Sequence, residues 1–266
     1  PTDARYISVA YYALDARYMA AMSRAIDRAD RAAHYDSLFE QVRDHFRRIY
    51  CNAEGDLNPE VRTQTGYLLA LRNDLLLPER RPAAVAALKQ KIIDNGYKLS
   101  TGFVGSCILN EVLAEFGEND LAYSLLLQTE NPSWLYSVHQ GATTIWERWN
   151  SYTKATGFGD VGMNSFNHYA YGAVQEWMYR HIAGIETTEQ APGFAHPILQ
   201  PKPDTRSAEE IPAGQEKITW VRTSFASPVG LIESAWDMTD GFTYTCRVPV
   251  AATLHLPLIG NAETLV

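Results

Sequence analysis

The sequence predicts a mainly α-helical protein, an array of helical hairpins, with a small antiparallel β region at its C-terminal end. Three observations predict it. Apolar residues recur at helical spacing up to Gly184. The periodic segments are joined by short connections, as in antiparallel helix pairs. After Gly184 the periodicity stops, and short runs punctuated by Gly, Pro and Asp follow.

The elements follow in order. Ile7, Tyr11, Leu14, Tyr18, Met22 and Ile26 form one apolar stripe, and Tyr35, Leu38, Phe39, Val42, Phe46 and Ile49 a second. A third helix is expected over residues 62–77, stopped by Pro78, which cannot continue a helix. Pro82 suits the first turn of a fourth, whose face is Val85, Leu88 and Ile92 and whose end is Asn95-Gly96. A fifth carries Ile108, Val112 and Phe116 and ends at Gly117. A sixth covers about Asp120–Gln128, and a seventh carries Ala170, Val174, Trp177 and His181 with Gly184 as its stop. Residues 52–61, 99–105, 129–137 and 150–165 read as loops long enough to be functional. Residues 185–216, with Pro192, Pro197, Pro201, Pro203 and Pro212, read as a linker or irregular crossing between the helical region 1–184 and a β domain over 217–266. Strands are expected at 217–222, 230–236, 242–250 and 252–258. Four strands are too few for a closed sandwich, so the β domain is expected to be incomplete or to pair with residues outside 217–266.

Composition excludes several classes. Hydrophobic residues make up 46 %, which supports a sizeable core. The net charge is −8 and Lys and Arg do not cluster, which argues against a nucleic-acid partner. No apolar run is long enough to span a membrane. No signal-peptide pattern is present, which leaves the compartment open between cytoplasm and periplasm. Cys51, Cys107 and Cys246 are scattered, which speaks against a disulfide framework or a zinc site. Cys107 and Cys246 lie in apolar runs and are expected to be buried. Neither metal nor cofactor is expected.

Aromatic residues crowd between Trp134 and Tyr171. Rings there can form core or stack on the apolar C–H face of a sugar. Within that stretch Glu147 lies between Trp146 and Trp149. Inverting glycoside hydrolysis needs one carboxyl as acid and one as base, and Glu147 fits one of these roles. On chemistry alone, a Glu beside Arg148 equally reads as a surface ion pair. His168 equally reads as a hydrogen-bonded histidine at a helix start. Asp160 and Glu130 are neighbouring carboxylates outside any distinctive block.

Five blocks together resemble the bacterial α-L-rhamnosidase family. They are Thr63-Gln64-Thr65-Gly66-Tyr67, Thr101-Gly102-Phe103-Val104-Gly105, Pro132-Ser133-Trp134, Gly141-Ala142-Thr143-Thr144-Ile145-Trp146-Glu147-Arg148-Trp149 and Ser165-Phe166-Asn167-His168-Tyr169. The resemblance covers roughly residues 5–258. It implies an (α/α)6 barrel followed by a β-sandwich, and hydrolysis of terminal α-linked L-rhamnose with inversion. It implies Glu147 as general base and His168 as a sugar contact, with Trp146 and Trp134 as further substrate-binding residues. The family's acidic, Arg- and Trp-containing general-acid segment has no counterpart here. Seven helices read before residue 184, against the twelve of a closed barrel. The chain is therefore expected to match the second half of a catalytic barrel plus the start of the sandwich, inactive alone and prone to associate through exposed inner faces. The partner is a rhamnose-containing glycan or glycoside. A non-catalytic carbohydrate-binding relative, and another (α/α)-barrel glycosidase or lyase, are the competing readings.

Overall fold

The computed structural model describes residues 2–257 and 259. The chain divides into two compact units, Pro1–Phe116 and Gly117–Val266.

In the first unit, α1 (Ala4–Ala25) and α2 (Ala29–Tyr50) form a long hairpin. Asp3 caps α1 by accepting the amides of Arg5 and Tyr6. The expected helix is present, but the buried face of α1 is Tyr6, Ala10, Ala13, Ala16 and Ala20. The predicted stripe lies largely outward: Tyr18 is 46 % exposed, Met22 60 % and Ile26 68 %. Alanines let the two helices approach closely, and Tyr6 fills the end of the seam. Its ring meets Phe46 and Tyr50, and its hydroxyl donates to Gly66 O at 2.6 Å.

The third helix, α3 (Gln64–Arg72), begins at Thr63, whose Oγ1 accepts the Gly66 amide. It stops at Arg72, before Pro78. Leu75 and Leu76 are buried but not helical, because the Arg47 guanidinium takes both their carbonyls, at 2.8 and 3.0 Å. Helix α4 (Arg81–Asp94) has proline in its first turn, buries Val85, Leu88 and Ile92, and ends at Asn95 before Gly96 at φ +67°. A short helix, α5 (Phe103–Ser106), falls largely in the loop expected over 99–105, and the expected fifth helix is α6 (Leu109–Glu115). Gly117 follows at φ +85°.

The second unit opens with α7 (Asn119–Leu126). Its next helix, α8 (Trp134–His139), falls where a loop was predicted. Ser133 explains it, its Oγ accepting the Tyr136 amide at 3.1 Å. Strands β1 (Tyr152–Thr153) and β2 (Gly157–Phe158) form a small hairpin in the loop expected over 150–165. Residues 170–182 are helical throughout: a 3₁₀ turn, then α9 (Val174–Trp177), then a π-helical stretch over Met178–Ile182.

Beyond Gly184, β3 (Ile185–Glu186) pairs with β4 (Ile198–Leu199), and β4 pairs with β8 (Thr253–Leu254). The β4–β8 pair is parallel, against the antiparallel expectation, because β8 joins a sheet formed by an earlier segment. One branch of the expectation is therefore realised in β8, which pairs with β4, outside residues 217–266. The other sheet is antiparallel, with order β5 (Trp220–Ser227), β6 (Gly230–Asp237) and β7 (Thr243–Arg247). Strand β5 starts three residues later than predicted and continues to a two-residue turn, since Ser227 pairs with Gly230. The last predicted strand shortens to β8; Leu258, its expected end, lies outside the described residues.

The inward face of β6 alternates cleanly. Ile232, Ser234 and Trp236 are buried, and Ile232 packs with Ala183, Ile185 and Leu199. Trp236 Nε1 donates to Ile182 O at 2.8 Å and Ser234 Oγ to Ala183 O at 2.6 Å, so the polar groups of this face tie down the turn at Gly184. Cys246, predicted buried, is exposed: it shares the face of its partner Ser234, but β7 is the edge strand of its sheet. Cys107 is half-buried.

Candidate active site

Two segments of the second unit are cross-linked by backbone. Glu147 N donates to Ser165 O at 2.9 Å, and His168 N donates to Ile145 O at 2.9 Å. Thr144 Oγ1 adds a bond to Phe166 O. The two blocks that carry Glu147 and His168 are thus laid against each other in an antiparallel sense, without regular strand geometry. The Glu147 side chain folds back on this ladder: its Oε2 accepts the Ser165 amide at 2.7 Å. Among the described residues it makes no ion pair with Arg148, so the ion-pair reading of that neighbour is not realised.

Four rings brace the ladder from one side. Trp146 packs edge-on to Phe166 at 5.4 Å, Phe166 to Phe158 at 5.4 Å, Phe158 to Tyr152 at 5.2 Å, and Tyr152 to Trp146 at 6.4 Å. The β1–β2 hairpin supplies two of these rings. A second cluster lies around Trp149, which stacks on Tyr171 at 3.8 Å and meets Trp134 edge-on at 5.4 Å. Trp134 Nε1 donates to Tyr171 O at 2.8 Å, which fixes the indole.

These clusters border a cavity of about 300 Å³. Its walls include Trp134, Trp146, Trp149, Tyr171, Thr143 and Thr144. Of the four predicted site residues, Trp134 and Trp146 line the cavity; Glu147 and His168 do not. Trp134 and Trp146 are 8 % and 6 % exposed, so each is both wall and core. The His168 ring is parallel to that of Tyr169, and its Nδ1 accepts the Ala170 amide at 3.3 Å. A nitrogen that accepts carries no proton, so in the neutral ring the hydrogen is on Nε2, a donor suited to a hydroxyl oxygen. Glu130 and Asp160 are absent from the cavity walls, and Asp160 is spent on its own turn, accepting the Gly162 amide at 3.0 Å. Tyr171 was not anticipated as a wall residue. Its signal was present, three positions after His168 on an incipient helix. Among the described residues no group of His, Cys, Asp and Glu is placed to hold a metal ion, and no helix is long and apolar enough to cross a membrane.

Comparison with known proteins decides the family. Residues 1–182 match the bacterial alpha-L-rhamnosidase 6 hairpin glycosidase domain. The chain belongs to the bacterial α-L-rhamnosidase family. Residues 184–266 match the C-terminal domain of the same family. An alpha-L-rhamnosidase of Formosa agariphila is 40 % identical over 99 % of the chain, a match that covers 27 % of that protein. The crystal structure of the Streptomyces avermitilis alpha-L-rhamnosidase complexed with L-rhamnose superposes with a TM-score of 0.83 at 37 % identity, over 94 % of this chain and 23 % of that one. The Aspergillus terreus enzyme gives 0.85 at 32 % identity, over 96 % and 28 %. The chain therefore spans about a quarter of the length of the rhamnosidases it matches.

Proposed function

We propose that this chain forms part of an α-L-rhamnosidase that removes terminal α-linked L-rhamnose from a glycoside or glycan with inversion. Glu147 is its general base. The helical region to residue 184 carries the site, and residues 217–266 form the C-terminal β domain. The observation that carries this reading is the bond from the Ser165 amide to Glu147 Oε2. It orients the carboxylate, as a base must be oriented before it can take a proton from water. In inversion that water stands between two carboxyls about 6.5–9.5 Å apart and attacks the face opposite the leaving group. The second carboxyl, the general acid, is assigned to the portion of the relatives' length that this chain does not span. His168 donates through Nε2 to a sugar hydroxyl, and the Trp134 and Trp146 walls exclude water from one side of the ring.

The test is Glu147→Gln in the native polypeptide with an aryl α-L-rhamnoside. The amide keeps the shape and cannot accept the proton. Loss of a general base lowers kcat by roughly 100- to 10,000-fold, with KM nearly unchanged because the interaction is made in the transition state. A variant that keeps most of its kcat would sink the assignment.

A further inference from the structure

Two of the distinctive sequence blocks have no role in the chemistry proposed above. In the first unit, Thr63-Gln64-Thr65-Gly66-Tyr67 and Thr101-Gly102-Phe103-Val104-Gly105 are brought together, and their residue types are used in packing. Gln64 is 1 % exposed and clamps the following loop, Nε2 donating to Lys98 O at 3.2 Å and Oε1 accepting the Ser100 amide at 2.8 Å. A side chain at Gly66 would stand 2.0 Å from Val61 O. One at Gly105 would stand 2.5 Å from Thr65 Oγ1 and 2.7 Å from Thr101 Cγ2. The two blocks therefore fit each other only with glycine at position 105, and what they build is the floor of a cavity of about 970 Å³.

The lining of that cavity carries charged side chains among its apolar ones. Helix α4 contributes Gln90, Lys91 and Asp94, and the turn before α3 contributes Arg62. The one aromatic ring is Phe103, half-buried. Arg62 is anchored through Nε, which donates to Leu57 O at 2.7 Å. Its two terminal amino groups, and the Lys91 ammonium, have no hydrogen-bond or ion-pair partner among the described residues. Asp94, the one carboxylate in the lining, is engaged by Gln90 at 2.7 Å. Two uncommitted cations against one occupied carboxylate suit an anionic group, and a guanidinium held at its root presents its outer fork in a fixed direction.

We propose that this cavity binds an anionic sugar residue, with Arg62 and Lys91 on its carboxylate or sulfate group and Phe103 against its ring. That the ligand is a sugar rests on the rhamnosidase reading; that it is anionic rests on the cavity's own charges. The site shares no residue with the segments that carry Glu147 and His168.

The experiment is calorimetric titration of the native polypeptide with trigalacturonate, galactose 6-sulfate and neutral maltotriose, in the parent, Lys91→Gln and Arg62→Gln/Lys91→Gln. Saturable binding of at least one anionic probe is expected, and which of the two binds separates carboxylate from sulfate. The double substitution should weaken that binding about tenfold or more, while any binding of maltotriose stays the same. Lys91 is exposed and unpaired, so its variant cannot fail by misfolding and by itself should weaken the anionic probe several-fold. Equal affinity of the parent and both variants for the anionic probes overturns the proposal, as does a parent that binds neither. Hydrolysis of an aryl rhamnoside is read on the same samples. A parent that cleaves it but binds no anionic probe overturns this inference alone. A parent that binds the probe through Lys91 and Arg62 without cleaving leaves the cavity standing and removes the rhamnosidase reading.

Discussion

Arg206 gives the sharpest stability prediction. It is 1 % exposed and its partner Asp204 is fully buried. The guanidinium makes two parallel bonds to the Asp204 carboxylate, at 2.8 and 2.7 Å. Its remaining donors reach Ser124 Oγ at 3.3 Å, Gln215 Oε1 at 3.0 Å and Glu216 O at 3.1 Å. One side chain thus ties the irregular stretch 204–216 to α7 by way of Ser124. Arg206→Met conserves much of the volume but leaves the carboxylate buried with only backbone amides, Arg206 N and Ile218 N, as partners. Breaking a buried pair in this way costs about 3–5 kcal/mol. For a unit of this size each kcal/mol moves the midpoint by about 2–4 °C, which gives a drop of roughly 6–20 °C. The assay is thermal unfolding of the native polypeptide, with hydrogen exchange over residues 200–218 to locate the loss. Asp204→Leu/Arg206→Met removes the stranded charge and should recover at least half of the loss. A single variant that melts within about 1 kcal/mol of its parent and keeps amide protection would refute the reasoning.

Two further outcomes follow from the same structure. Gly184 has φ +73°, and a Cβ there would stand 2.1 Å from Pro201 N and 2.2 Å from Gln200 C; Gly184→Ala should therefore destabilise by about 2 kcal/mol or more in a denaturant titration, and a change under about 0.5 kcal/mol would contradict the steric account. Burial pushes the Cys51 thiol up from 9.0 to about 11, against a smaller opposing pull from Arg47. A group raised in the folded state contributes stability that is complete below its unfolded value and is lost as pH rises through the folded one, so this contribution fades between about pH 9 and 11. Cys51→Ala should flatten the alkaline limb of a stability–pH curve over that window, and an unchanged limb would exclude this source.

The fold class was legible because helix periodicity survives even where its interpretation fails. In α1 the large apolar residues repeat at the right spacing, yet the seam with α2 is made by alanines, which a hydrophobicity pattern underweights. The spacing identifies the helix; close packing selects the face. Helix α3 was drawn too long because Leu75 and Leu76 look helical in sequence, while the side chain that takes their carbonyls, Arg47, is 28 and 29 residues away. Helix α8 was missed although Ser133 stood at its start, because a run of six residues offers too little period to outweigh the loop signals around it. The parallel β4–β8 pair joins residues 55 apart, and nothing in two-residue strands encodes such a partner.

For the candidate site, sequence adjacency and spatial role came apart. Trp146 and Glu147 are neighbours in sequence, but their side chains have separate partners. Trp146 goes inward to Phe166 and Tyr152, while Glu147 turns to the Ser165 amide. The contact that orients Glu147 spans 18 residues, and it forms because Phe166 is held between Trp146 and Phe158. Both rings lie in or beside recognisable blocks, but their pairing depends on the β1–β2 hairpin, whose strands are two residues long. The blocks thus contain Glu147 and Ser165, while the rings that hold their segments together include loop residues between the blocks.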